Sequence, residues 1–296
     1  NNSYSNMKNV SVIAFYSFFR IDNLELLENQ IQDFLQPIDI KGTILIGPEG
    51  LNGTIAIPLN EEKKTIQYLE KLGVQSKNIK VSKFDGKRVF NRFKTKIKKE
   101  IVTSDFDLSI EEIEQGQFID PDQWDNFINQ DDVEIIDTRN DYEFKVGHFQ
   151  NATNPDIKTF REFKKYIEGR KEELQNKKVA IYCTGGIRCE KAGPLMQKYG
   201  IDTYQLKGGI LKYFEDTPAS KWNGECFVFD YRVSVDKQLQ PGSNELCFGC
   251  NMPLTPEEKK SPHYEEGFTC PDCYDQLTEK KRRSLTDKRD HWKRIL

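Results

Sequence analysis

VAIYCTGGIRCEKAG, residues 179–193, ends a short apolar run on a cysteine, then places two glycines, an arginine and a second cysteine directly after it. VAIYC has the length and β-branched content of a buried strand, and CEKAGPLMQKYG (189–200) spaces its apolar residues as a helix. Around this pair the chain repeats the alternation. VEIID (133–137) and TYQL (203–206) read as strands, and TFREFKKYIEGRKEELQ (159–175) as a helix. Strands separated by helical stretches form βαβ units with right-handed crossovers, hence a doubly wound parallel sheet. The expected domain is 124–218, with Cys183 at the carboxyl end of a strand, where ligands gather in such sheets.

The residues after Cys183 decide its chemistry. Thr184, Gly185, Gly186 and Ile187 turn the chain into the helix, and glycine lets successive backbone N–H groups face inward as an anion-binding nest. The helix N-terminus adds partial positive charge, and Arg188 a full one. Each favours thiolate over thiol. The loop therefore makes Cys183 a nucleophile, or holds a sulfur or oxygen anion attached to it. A lone buried cysteine beside turn glycines is the bland alternative, which the strand end, glycine pair and arginine together outweigh. Cys189 is either a packed helix residue or a partner thiol that resolves a sulfur adduct.

The N-terminal hundred residues follow a different order. NVSVIAFYSFFR (9–20) is strand-like, DNLELLENQIQDFLQ an amphipathic helix, and IKGTILIGPEGLNGTIAIP a pair of strands with a turn signal at Asn52-Gly53. A helix at about 61–72 and a strand near 79–84 complete βαββαβ, a ferredoxin-like (acylphosphatase-like) module over residues 8–100. Residues 101–123 read as an acidic connector.

Net charge is −3, which gives no global sign of nucleic-acid binding, yet residues 83–99 hold eight Lys/Arg against one Asp. Arg92, Lys94, Lys96 and Lys98 alternate with Phe93, Thr95 and Ile97, so one strand face is cationic with Phe93 and Ile97 packed behind; Lys87 and Arg88 extend the patch. That density exceeds what protecting a sheet edge requires and favours RNA phosphate. Phe90, Phe93, Tyr142 and Phe144 are the aromatics nearest in sequence for stacking a splayed base. A second basic cluster, KKRRSLTDKRDHWKR, lies at the C-terminal end.

Seven cysteines are confined to the second half: Cys183, Cys189, Cys226, Cys247, Cys250, Cys270 and Cys273. The last four form CxxC-x19-CxxC, the spacing of a four-cysteine structural zinc site, within a cysteine-rich region at 219–296. Nothing in the placement suggests a disulfide scaffold, no apolar run is long enough for a membrane span, and the expected location is the cytoplasm. There is no flavin or dinucleotide fingerprint, and the three histidines are widely separated.

At these residues the chain resembles the rhodanese family. Cys183-Thr-Gly-Gly-Ile-Arg188 is similar to its six-residue active-site loop, whose cysteine carries a persulfide; related dual-specificity phosphatases use a loop one residue longer. IIDTRNDYEFKVGHFQNATNP (135–155) resembles the rhodanese pattern of Asp-x-Arg, an aromatic-acidic pair and Gly-His, with Asn151 where many rhodaneses have glycine. IKGTILIGPEGLNGTIA, FNRFKTKIKKEIV, DTRNDYEFKVG and CTGGIRCEKAG occur in that order in the rhodanese-containing tRNA uridine hydroxylases, a resemblance covering residues from about 10 to 275. It implies oxygen-dependent conversion of wobble uridine to 5-hydroxyuridine, with molecular oxygen as co-substrate, the tRNA anticodon as partner and Cys183 as the essential group. Asp137 and Arg139, at the carboxyl end of another strand, either orient the loop or meet substrate, or form a structural ion pair or turn cap. Addition of a thiolate to C6 of the base, or a persulfide or oxidised cysteine carrying the reactive atom, are both open routes. A thiosulfate-type sulfurtransferase and a non-enzymatic RNA-binding module with a zinc knob are the competing functions.

Overall fold

The computed structural model describes residues 10–84 and 89–295. The N-terminal module is βαββαβ with one added strand. In chain order it comprises β1 (Val10–Phe18), α1 (Leu24–Leu35), β2 (Lys41–Gly47), β3 (Gly50–Pro58), α2 (Glu62–Lys71), β4 (Ile79–Phe84) and β5 (Phe93–Ile97). The sheet order is β4-β1-β3-β2-β5, with β5 parallel to β2 at the edge. Helix α1 starts at Asn23, whose Oδ1 accepts the Leu26 N–H at 2.9 Å. Both helices cover the sheet face that carries Ile13, Phe15, Ile44 and Ile55.

β1 is buried along almost its whole length, whereas a sheet with one wet face would show clean alternation. The reason is that its second face, carrying Val10, Val12, Tyr16 and Phe18, is also covered. Phe18 packs with Ile101 and Ile113, and Ile187 from the cysteine-loop domain joins that cluster.

The reversal falls within the stretch 48–53 expected between the two strands, but not at its Asn52-Gly53 signal. Gly47 pairs with Gly50, so the chain reverses at Pro48-Glu49, and Asn52 and Gly53 sit inside β3. Gly50, at φ +142°, supplies the turn's geometry; Gly53 makes room for the Phe15 ring, which a Cβ would meet at 2.7 Å. Asn52 spends its side chain on the Ile101 carbonyl, 2.8 Å away.

The second domain contains α3 (Ile110–Ile113), β6 (Gln117–Ile119), α4 (Pro121–Ile128), β7 (Val133–Asp137), α5 (Asp141–Val146), β8 (Gly147–Phe149), α6 (Phe163–Leu174), β9 (Lys178–Tyr182), α7 (Ile187–Lys198), β10 (Asp202–Leu206), α8 (Gly209–Asp216) and β11 (Trp222–Gly224). Its sheet is parallel in the order β6-β10-β9-β7, extended past β7 by a bridge between Ile136 and Thr153. β6 belongs to the stretch expected as connector, so the parallel sheet begins at residue 117. Three exposed or half-exposed residues at an edge carry too little apolar signal to mark a strand. Helices α6 and α7 pack one face through Phe163, Ile167, Leu195 and Met196, and α4 and α8 the other through Trp124, Ile210 and Tyr213.

The C-terminal region has little regular structure: β12 (Cys226–Phe227) pairs with β13 (Ser234–Val235), β14 (Glu245–Leu246) with β15 (Pro253–Leu254), and α9 (Glu279–Ile295) closes the chain. Cys226 is fully buried in the core shared with α4 and α8. The β12–β13 hairpin straps the domains together: the Tyr231 N–H donates to the Val89 carbonyl and Arg232 Nη1 to Ser82 Oγ. Among the described residues no helix is long and apolar enough to cross a membrane.

Candidate active site

Cys183 sits immediately after β9, and its loop is shaped by what binds the loop carbonyls. The Cys183 and Thr184 carbonyls accept the Ile210 and Leu211 N–H groups at the start of α8, at 3.0 and 3.1 Å. The Gly185 carbonyl accepts Lys80 Nζ at 3.1 Å, and the Gly186 carbonyl accepts the Glu190 N–H. With these four carbonyls bonded elsewhere, N–H groups converge on the sulfur: that of Gly186 donates to Cys183 Sγ at 3.1 Å, and those of Arg188 and Cys189 also favour its charge. Gly186 adopts φ +107°, which disfavours any side chain, and a Cβ there would lie 2.5 Å from Tyr16 Oη. Gly185 faces open space, since a Cβ there meets nothing within 4 Å.

The Cys183 thiol is only 1% exposed. Burial alone would push it up, but the Cys189 thiol, the Arg188 charge and the N–H groups opening α7 outweigh that and pull it well below an ordinary cysteine. Cys189 moves the opposite way, held protonated by burial and by the neighbouring Cys183 charge. Its Sγ lies 3.6 Å from Thr138 Oγ1 inside the core, beneath the loop and beside the Cys183 thiol.

Arg188 does not point freely at the sulfur. Its guanidinium forms a bidentate pair with Glu143, at 2.6 and 2.8 Å, and both side chains are buried. Burial works against the Glu143 carboxylate, but Arg188 more than compensates and holds it below the usual range. Glu143 also caps α5 through the Asn140 N–H. One carboxylate thus fixes both a helix start and the loop cation.

Asp137 and Arg139 form a second bidentate pair with no exposed surface, closed further by the Gly147 carbonyl at 2.7 Å and by the Tyr182 and Trp222 rings. Neither presents a surface for substrate to meet, which fits the structural ion pair among the readings the sequence left open. Ile187, a candidate to meet substrate, instead packs its side chain against the Tyr16–Phe18 cluster. Thr184 is half-buried, with its hydroxyl 3.5 Å from Glu143 Oε1.

The N-terminal sheet supplies groups that sequence reasoning missed. Tyr16 Oη donates to Glu190 Oε1 at 2.7 Å, directly over Gly186. Burial pulls the Lys80 ammonium down to about 8, although the Cys183 and Glu190 charges oppose the change. Lys191, buried in α7, binds Glu49 at 2.9 Å, Glu100 at 2.5 Å and the Val102 carbonyl at 3.2 Å. These contacts seat the first domain on the second at the cysteine loop.

Of the basic residues, Arg92 and Lys94 line a cleft of about 640 Å³ between β5 and the strap, along with Phe90, Phe229 and Tyr231. Lys96 and Lys98 are exposed outside it. Lys87 and Arg88 lie outside the described residues. Phe93 packs toward α1 and α2 as expected, but Ile97, the last residue of the edge strand, is 40% exposed. Tyr142 packs on Phe227, and Phe144 stacks on His148 at 4.0 Å.

Cys247, Cys250, Cys270 and Cys273 bring their sulfurs within 4.8 Å of one another, with three pairs at 3.7–3.8 Å. Tetrahedral zinc with Zn–S bonds of about 2.3 Å has S···S edges of about 3.8 Å, so the donor set fits that ion. Gly249 allows the knuckle, since a Cβ would strike the Phe268 carbonyl at 1.9 Å. Four thiolates leave no open position, which makes the role structural. Lys145 of α5 ties the cluster to the loop domain through Asp272 and Glu258. Part of the C-terminal basic cluster is spent locally: Arg282 pairs with Glu265, and Arg282 and Arg289 lie over the Phe268 ring.

Residues 120–216 match the family model described as a rhodanese-like domain, and residues 10–101 match that of the UPF0176 acylphosphatase-like domain. Among solved structures, a rhodanese-like domain protein from Staphylococcus aureus is 26% identical over 33% of this chain and 90% of its own, with a TM-score of 0.28. A single-domain sulfurtransferase from Saccharomyces cerevisiae is 19% identical over 36% of this chain and 94% of its own, with a TM-score of 0.30. A rhodanese-related protein from Thermoplasma volcanium is 23% identical over 34% and 95%, with a TM-score of 0.28.

A parallel sheet presenting Cys183 in a six-residue nest is a rhodanese domain, and it makes the chain an enzyme of the rhodanese, sulfurtransferase-like type. With the UPF0176 acylphosphatase-like domain ahead of it, the chain has the domain architecture of the UPF0176 rhodanese family.

Proposed function

We propose that the chain hydroxylates C5 of wobble uridine in tRNA, with molecular oxygen as co-substrate and Cys183 as the reacting group. The observation that carries this reading is the seating of the N-terminal sheet on the cysteine loop. Tyr16 and Lys80 touch the loop itself, while the same sheet's edge puts Arg92 and Lys94 on a cleft against the strap. A carrier of small sulfur donors has no use for such an added domain. An enzyme acting on a polyanion does, because phosphate neutralisation supplies most of its non-specific affinity.

The chemistry follows from the loop. The Cys183 thiolate, held charged by the α7 N–H groups and Arg188, adds to C6 of uracil and leaves a carbanion at C5 that takes up dioxygen as a hydroperoxide. Two equivalents of an external thiol reduce that hydroperoxide to the C5 hydroxyl, leaving as disulfide while the second oxygen leaves as water; loss of the C5 proton and expulsion of the Cys183 thiolate then restore the ring. A wobble base is unpaired in the anticodon and can be turned toward the open side of the loop at Gly185.

The six-residue loop closing on one sulfur also supports a second reading, transfer of sulfane sulfur from thiosulfate through a Cys183 persulfide. Nucleoside mass spectrometry of tRNA from cells with and without the gene separates the two. The hydroxylase reading expects 5-hydroxyuridine and its derivatives to disappear on deletion and to stay absent with Cys183→Ser. Unchanged levels on deletion would sink it.

A further inference from the structure

The cleft beside the cysteine loop is built for a base as well as for phosphate. Its β5 wall carries Arg92 and Lys94, and its opposite wall carries Phe229 and Tyr231 from the strap. Phe229 is 62% exposed and Tyr231 47%, large values for aromatic rings on a structured hairpin. Phe229 is nevertheless held in place: its edge meets the Phe227 ring at 5.1 Å and 90°, and the Arg188 guanidinium lies 5.8 Å from its centroid. Arg188 is the loop cation of Cys183, so the exposed ring joins the cleft to the loop's own cation.

Charge in the cleft has one sign. Its single acidic lining residue, Asp230, is bound by Arg232 at 2.7 and 2.9 Å. Among the described residues Arg92 and Lys94 form no ion pair, and Lys94 feels its neighbours Arg92 and Lys96 as repelling charges. The volume of about 640 Å³ lies within the range of about 300–1,000 Å³ usual for ligand sites. Unpaired cations facing an exposed ring are the recognition elements of a single-stranded nucleic acid, where bases stack on aromatics and phosphates meet Arg and Lys.

We propose that this cleft binds the single-stranded RNA next to the reacting nucleotide, with one unstacked base on Phe229 and its phosphates on Arg92 and Lys94. The inference rests on the RNA reading of the Cys183 site and adds the strap as a base-stacking wall.

The test is fluorescence anisotropy of the full chain with 5′-labelled hexauridylate, measured across a salt series. Phe229→Ala should weaken binding about 5- to 140-fold, the range of one lost base–aromatic stack. Arg92→Ala with Lys94→Ala should lower the slope of log affinity against log salt by about 1.4, two phosphate contacts on a single strand. Lys165→Glu, on the exposed face of α6, should change neither. Equal affinity of parent and Phe229→Ala overturns the proposal, as does displacement of the RNA by polyglutamate as readily as by unlabelled RNA. If tRNA hydroxylation persists while Phe229→Ala binds normally, the cleft assignment fails and the enzyme reading stands. If hydroxylation is absent but the Phe229 and salt effects hold, the cleft stands and the enzyme reading fails.

Discussion

Replacing Gly186 by alanine tests whether the N-terminal domain is seated on the cysteine loop as closely as the geometry requires. Two costs are separable. A Cβ in the left-handed region, at φ +107°, costs about 1–2 kcal/mol whatever surrounds it. The same Cβ lies 2.5 Å from Tyr16 Oη, which is buried and committed to Glu190 at 2.7 Å, so the ring can yield only by giving up that bond. A hydrogen bond to an ionised partner is worth about 1.5–3 kcal/mol, which brings Gly186→Ala to about 2.5–5 kcal/mol in the parent. Tyr16→Phe removes the clashing atom; the next, Tyr16 Cζ, is at 3.5 Å, ordinary contact. In that background Gly186→Ala should cost only the backbone part, about 1–2 kcal/mol, leaving a coupling of about 1.5–3 kcal/mol. Urea unfolding of the four proteins of the cycle measures it. Equal costs in the two backgrounds would refute the close approach, and with it the placement of the first domain over the loop.

The thiolate absorbance of the parent minus that of Cys183→Ser should titrate with a midpoint below the value of about 8.5 for free cysteine, and Arg188→Gln should move it upward; an unshifted midpoint contradicts the loop electrostatics. Activity limited by that thiolate should rise with pH through the same midpoint and then level off. Glu143→Gln leaves Arg188 buried without its partner and should destabilise the chain by about 3–5 kcal/mol in urea unfolding. Because the folded Glu143 carboxyl is held low, its stabilisation is present above the unfolded value of about 4.3 and is lost as pH falls through the folded one; the variant's acid limb should be correspondingly shallower. The purified chain should contain stoichiometric zinc by elemental analysis, and Cys250→Ser or a strong chelator should remove it and lower the unfolding temperature; a metal-free, equally stable protein argues against the site.

The residues that announce themselves in sequence do so because their chemistry depends on local spacing. Cys183 and its glycines share one turn, and the four cysteines form two tight pairs, so both constellations are visible in a line of text. The βαββαβ order was legible for the same reason, down to the two strands around residues 41–58, although the Asn52-Gly53 signal lies four residues past the reversal at Pro48-Glu49. Asn-Gly in a strand interior is tolerated here because Phe15 and Ile101 use the space and the side chain. What stayed hidden depends on distance along the chain. Tyr16 and Glu190 meet across 174 positions, and Lys80 and Gly185 across 105, with no period to betray them. Glu143 was partly visible, since Asn140 and Glu143 have capping-box spacing, but its grip on Arg188 was not. Asp137 and Arg139 carry a family pattern that sequence alone could not divide between substrate contact and buried pair; their complete burial divides it. Phe229 and Tyr231 lie in a stretch with no regular pattern, and their role emerges only where the strap meets β5.

The most direct test supplies the purified chain with unmodified tRNA transcript, heavy-isotope dioxygen and a thiol reductant, then reads the nucleosides by mass spectrometry. The account predicts 5-hydroxyuridine carrying one heavy oxygen atom from dioxygen with the parent chain, and none with Cys183→Ser. Active transfer of sulfur from thiosulfate without any hydroxylated uridine would contradict it.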